Sequence, residues 1–135
     1  MGRTTGLKLL LDTHIWLWSL QGSDKLGTRL RGELANPQNE LWLSPISTWE
    51  ALVLHGKQKV SLGTDLEEWV TRATAPFREA PLTHEIALVS RQLQLQHQDP
   101  ADRFLAATAH VLKLTLVTAD AHLLGLGEIS TLANR

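Results

Sequence analysis

The chain has 135 residues, 13 Lys plus Arg against 14 Asp plus Glu for a net charge of −1, 43% hydrophobic residues and no cysteine. That length fits a single domain spanning residues 1–135, and the composition excludes intrinsic disorder. The near-neutral balance confines any basic nucleic-acid footprint to a local patch, and the lack of cysteine removes disulfide scaffolds, thiolate zinc sites and Cys nucleophiles. The opening MGRTTG is too short and polar for a signal peptide, and no apolar run approaches the roughly 18 residues of a membrane span. A soluble cytoplasmic protein is therefore expected.

Residues 7–11 form a short, nearly continuous apolar run, as in a strand buried on both faces, and Asp12-Thr13 stops it before a helix over 14–20. Ser23 is placed to cap a second helix whose apolar face is Leu26, Leu30 and Leu34, and Asn36-Pro37 ends it. A second strand is expected over 40–44. Ser47-Thr48-Trp49-Glu50 has capping-box spacing and opens a helix that Gly56 closes; Thr64-Asp65-Leu66-Glu67 repeats the signal, with Leu66, Trp69, Val70 and Ala73 as the buried stripe. Residues 79–82 read as a very short strand, followed by a helix from Thr83 to about residue 96. Asp99-Pro100 is the sharpest local signal, a cap residue followed by Pro at the first helical position, with Phe104, Leu105, Thr108, Val111 and Leu112 at helical spacing. A fourth strand over 114–118 is broken by Ala119-Asp120, with a short helix to Leu124 and a last strand near Ile129. Strands alternating with helices and no hairpin signal predict an α/β fold, a parallel sheet covered on both faces.

Ligands of open parallel sheets bind beyond the carboxyl ends of the strands. Asp12 and Asp120 follow strands directly, while Glu50 and Asp102 stand near the starts of helices that begin on the same expected rim. Carboxylates gathered there raise each other's pKa, and a hard divalent cation such as Mg²⁺ or Mn²⁺ is the simplest compensation. Each acid also has a purely structural reading: Asp12, Asp99 and Asp120 as N-caps, Glu50 and Asp102 as capping-box carboxylates. Other chemistries fit worse. No phosphate-binding glycine loop follows the first strand, and His84-Glu85 meets Leu88 where a zinc-binding helix needs a second His. Of the tryptophans, Trp49 and Trp69 are expected in the core, while Trp16 and Trp18 cannot both face inward. Arg103, Lys57, Lys59, Arg29 and Arg31 are possible phosphate holders, with solvated surface charge as the alternative.

LLLDTHIWLW, SPISTWEALVL, DPADRFLAATA and LVTADAHLL, in this order and spacing, resemble the four blocks of the PIN-domain nucleases, specifically the VapC-type toxins of bacterial toxin–antitoxin pairs. The resemblance covers nearly the whole chain. It implies that Asp12, Glu50, Asp102 and Asp120 are the acidic quartet that binds metal and catalyses, with Thr118 in the hydroxyl position and Asp99 as a secondary candidate that is a cap first. It further implies a 3-2-1-4-5 parallel sheet, Mg²⁺ or Mn²⁺, endoribonuclease activity on RNA, an antitoxin partner and a homodimer. The apolar helix Ile15-Trp16-Leu17-Trp18 also suggests a dimer, having more large side chains than one buried stripe needs. Two other functions remain compatible with the acids, a phosphohydrolase of small phosphoesters and a catalytically idle interaction domain.

Overall fold

A computed structural model describes residues 6–95 and 99–135. Its elements in chain order are β1 (Lys8–Leu11), α1 (Thr13–Gln21), α2 (Thr28–Ala35), β2 (Glu40–Leu43), α3 (Pro45–Gly56), α4 (Leu66–Thr74), β3 (Arg78–Glu79), α5 (His84–Gln92), α6 (Pro100–Leu112), β4 (Thr115–Thr118), α7 (Ala121–Leu124) and β5 (Ser130–Ala133). Five strands form one sheet in the order β3-β2-β1-β4-β5. Every pairing is parallel, with Leu10 of β1 in register with Trp42 of β2 and Leu116 of β4. The expected α/β class and strand order are both observed.

The central strand explains its own sequence. Leu9 and Leu11 enter one apolar cluster with Ile15, Trp16, Leu30 and Ala73, while Leu10 enters the opposite one with Ile86, Leu105, Leu116 and Leu123. Alternate residues of a strand face opposite sides, so a strand covered by helices on both faces needs an unbroken apolar run. Each leucine so buried contributes about 1.5–3 kcal/mol. Helix α3 serves both layers, with Ala51 in the first cluster and Ile46 against the second, which places it across the carboxyl rim.

Several boundaries differ from the sequence reading, each for a local reason. Ser23 caps only a turn, its Oγ accepting from the Lys25 N–H, and α2 starts at Thr28 after Gly27. Helix α3 begins at Pro45, capped by Ser44, so Ser47 lies inside it. Asp65 rather than Thr64 caps α4, accepting from the Glu68 N–H. Strand β3 is confined to two residues, Arg78–Glu79, rather than 79–82. Helix α5 ends at Gln92, where extended Leu93 turns the chain away; residue 96 lies outside the described residues, as do the first five, including most of the MGRTTG segment. Trp49 is 54% exposed and not core, whereas Trp16 is fully buried. Ile15, Trp16 and Leu17 all pack into the chain's own core and Trp18 packs partly against it, so α1 does not need a second copy to cover it. Among the described residues no helix is long and apolar enough to cross a membrane.

Candidate functional site

Asp12 stands where the central strand ends. Its backbone N–H donates to the Val117 carbonyl (3.0 Å), extending the β1–β4 pairing, and its Oδ1 accepts from the Ile15 N–H (3.0 Å), capping α1. The other oxygen, Oδ2, accepts from the Thr118 hydroxyl at 2.5 Å. Thr118 in turn accepts from the Asp120 N–H (3.0 Å), and Asp120 caps α7 by accepting from the His122 N–H (2.8 Å). The His122 ring nitrogen Nδ1 lies 3.3 Å from the same Asp120 oxygen. A chain of hydrogen bonds thus runs from Asp120 through Thr118 to Asp12 and fixes the Asp12 carboxylate on both sides.

This carboxylate is an expensive group to hold. Asp12 is only 9% exposed, and burial pushes its carboxyl above the ordinary range, against the lowering pull of the Thr118 and Ile15 hydrogen bonds and of His14. Asp120 is near enough for its negative charge to push in the same direction as burial. The donors gathered here are all oxygens, two carboxylates and a hydroxyl, the set that hard divalent cations take, and a cation would relieve the buried charge. The residues present therefore fit such an ion chemically.

The remaining acids lie on two helices packed on each other, α3 and α6. Helix α3 starts directly after β2, and α6 runs back to the start of β4, so both open on the carboxyl rim of the parallel sheet. Asp102 is half-buried on the first turn of α6 at the capping-box position. Glu50 lies one and a half turns into α3, beyond the reach of a capping box, because the helix starts at Pro45 rather than after Ser47. The structure thus removes the structural alternative for Glu50 and leaves it for Asp102. Asp99 is a cap, its Oδ1 accepting from the Ala101 N–H (2.9 Å) and the Asp102 N–H (3.2 Å). Among the described residues, no three Asp, Glu or His side chains stand close enough together to enclose a metal ion. What the fold brings into direct contact is Asp12, Thr118 and Asp120; Glu50 and Asp102 stand on the helices that open on the same rim.

The basic residues are placed differently. Arg103 is buried, and its guanidinium donates to the carbonyls of Leu95 (3.2 Å) and Leu93 (3.4 Å), so it ties the end of α5 to α6 instead of holding a phosphate. Lys57 and Lys59 follow the far end of α3, and Arg31 donates to the Ser23 carbonyl. Two features escaped the sequence reading. Ser44-Pro45 carries the same cap-then-proline signal as Asp99-Pro100 and would have set the start of α3 correctly. The His122 contact follows from Asp120 capping a helix of four residues, which folds the third residue of the turn back onto its cap.

Residues 9–128 match the family model of the PIN domain. Ribonuclease VapC22 of Mycobacterium tuberculosis is 27% identical over 116 residues, covering 85% of this chain and 88% of that protein. Among solved structures, VapBC2 from Rickettsia felis bound to a DNA fragment from their promoter superposes with a TM-score of 0.70 at 15% identity, over 94% of this chain and 98% of that one. DNA-bound VapBC from Salmonella typhimurium gives a TM-score of 0.70 at 18% identity, over 96% and 99% of the two chains. A toxin–antitoxin complex from Klebsiella pneumoniae gives 0.65 at 22% identity, over 94% and 98%. At these identities the solved structures speak for the fold.

Proposed function

The chain belongs to the PIN-domain family, and from that premise we propose that it is a single-domain, divalent-metal-dependent endoribonuclease, the VapC-type toxin of a toxin–antitoxin pair acting in the cytoplasm. The observation that carries this reading is the buried Asp12 carboxylate joined through Thr118 to Asp120 at the carboxyl end of the central strands. The similarity to a protein named a ribonuclease supports RNA as the substrate. Asp12 and Asp102 would be the principal ligands for Mg²⁺ or Mn²⁺, with Glu50 and Asp120 completing the acidic set and Asp99 serving as a cap. Such an ion, when bound, polarises a phosphodiester and lowers the pKa of water.

The chain's own residues supply positioning. Thr118 donates to one Asp12 oxygen while the Ile15 N–H holds the other, so the carboxylate plane is set before substrate arrives and costs no reordering during reaction. The Asp120 N–H fixes the Thr118 oxygen and thereby its hydroxyl direction. With Asp12 buried beneath the rim, bulk water has little access to that carboxylate, which strengthens its attraction for a cation. Partners in this reading are an antitoxin protein, supported by the toxin–antitoxin complex that shares the fold, and, as the family resemblance implies, a second copy of the chain in a homodimer.

The test is incubation with single-stranded RNA and, separately, with p-nitrophenyl phosphate, each with and without millimolar Mn²⁺. Internal cleavage of the RNA that requires the metal, with no turnover of the phosphomonoester, is the expected outcome. Turnover of the phosphomonoester alone overturns the endoribonuclease reading in favour of a small-molecule phosphohydrolase. Inactivity on both, with a melting temperature indifferent to Mn²⁺, overturns it in favour of an idle interaction domain.

A further inference from the structure

One groove beside the acidic rim is not used by the proposed chemistry. It opens between α3, α4 and the end of β3, has a volume of about 440 Å³, and is lined by Trp49, Leu52, Val70 and Phe77, with Arg78 and Glu79 at its edge. Pockets of this size accommodate flat organic groups. Trp49 is a large aromatic left 54% exposed, on the same helix as Glu50 and one residue before it. Leu43, the last residue of β2, also lines the groove. Since neighbouring strands lie about 4.8 Å apart, the β2–β3 end of the rim is roughly 5–10 Å along the sheet from Asp12 just beyond β1. The floor of the groove at Leu43 is therefore one to two strand spacings from Asp12, near enough for the nucleotide adjoining a phosphate held at Asp12 to enter the groove that Trp49 lines.

The charge of the groove selects the part of the nucleotide that enters. Its one cation, Arg78, is already engaged: the guanidinium lies 5.9 Å from the centre of the Trp42 ring, and Nε is 3.7 Å from a Glu40 carboxylate oxygen. Glu79 beside it carries the opposite charge, so the edge is neutral overall and offers a phosphate no net attraction. An apolar slot with an exposed indole and a carboxylate at its mouth suits a neutral aromatic ring bearing an amino group instead.

We propose that the Trp49 groove is a nucleobase subsite that stacks an unpaired base of the RNA next to the scissile phosphate. This inference rests on the endoribonuclease reading and adds to it where the strand is held. Trp49 is a binding residue here, acting on substrate affinity and not on bond cleavage.

The test compares wild-type protein with Trp49→Ala and Trp49→Phe, on one RNA oligonucleotide and on copies carrying an abasic nucleotide at each position flanking the cut. Trp49→Ala is expected to raise KM about tenfold, within the range for losing one stacked base, with kcat nearly unchanged; Trp49→Phe should recover part of the loss. One abasic position should raise KM for wild type by a similar factor and have no further effect in Trp49→Ala, because both remove the same contact. An unchanged KM in an active Trp49→Ala protein overturns the subsite while leaving the nuclease intact. Additive effects of the abasic position and the substitution also overturn it. Weakened association with a partner protein at unchanged KM would assign the groove to protein docking instead. Wild-type protein that cleaves no RNA removes the nuclease reading and this inference together.

Discussion

Asp99 and Asp102 stand three residues apart at the opening of α6, and the proposed function assigns them different work, which two substitutions separate. Asp99 is exposed and accepts from two first-turn N–H groups, those of Ala101 and Asp102. Replacing it by Ala leaves both donors to water, so the cost is near the middle of the capping range, about 1 kcal/mol. For a chain of 135 residues the unfolding entropy converts this to a melting temperature about 3–4 °C lower. Asp102→Asn keeps the shape of the side chain and removes its charge, whose attraction to the helix N-terminus is worth a few tenths of a kcal/mol, or about 1 °C. Activity should follow the opposite order. Asp102→Asn is expected to abolish RNA cleavage with Mn²⁺, whereas Asp99→Ala should retain most of it at temperatures where the variant is folded. Thermal melts without metal, paired with cleavage rates, read both quantities. An Asp102→Asn protein that cleaves near the wild-type rate, or that proves less stable than Asp99→Ala, would refute the assignment and make Asp102 a capping-box carboxylate.

Asp12 provides a pH test: its folded-state carboxyl lies above its ordinary value of 3.8, so folding is penalised by its ionisation above that window and relieved as pH falls through it. The stability of Asp12→Asn relative to wild type, measured by metal-free denaturation, should therefore decline from pH 7 toward pH 4; a relative stability independent of pH would contradict the burial argument. Trp16→Phe should cost about 2–3 kcal/mol, because it leaves the Ala73 carbonyl, now 3.1 Å from the indole N–H, without its buried donor and opens a void in the core. Urea denaturation showing a loss below about 0.5 kcal/mol would mean that the bond contributes nothing. Millimolar Mn²⁺ should raise the melting temperature of wild type by several degrees and leave Asp12→Asn nearly unmoved, since a ligand that binds only the folded state stabilises it. An equal rise in both would place the ion elsewhere.

What the sequence conveyed and what it hid divide along physical lines. The unbroken run Leu9-Leu10-Leu11 demanded a strand with helices on both faces, and the structure places its side chains alternately in the two cores. Cap residues beside proline fixed the start of α6, whereas Ser47, a plausible cap by spacing, lost to Ser44-Pro45 three residues earlier, with Pro45 preorganised for the first helical position. Tertiary packing decided the remainder. Trp49 and Trp69 look alike on helical stripes, yet Trp69 packs 5.3 Å from the Trp16 ring while Trp49 faces an open groove. Arg103 looked like a rim cation because charge suggests a surface, but two carbonyls at the end of α5 provide a buried seat for its guanidinium. At the site, spacing alone singled out Asp12 and Asp120 as residues that follow strands. The Thr118 bridge between them depends on β1 and β4 being neighbours in the sheet, which local sequence does not state.

The central claim is that the Asp12 carboxylate forms the heart of a metal-dependent ribonuclease site. Its most direct test is cleavage of one labelled single-stranded RNA by wild type and Asp12→Asn side by side, across a Mn²⁺ titration, with circular dichroism to verify that both are folded. Internal cleavage that rises with Mn²⁺ in wild type and is absent in a fully folded Asp12→Asn is the expected result. Cleavage by Asp12→Asn at the wild-type rate, or wild-type cleavage unaffected by removing the metal, would contradict it.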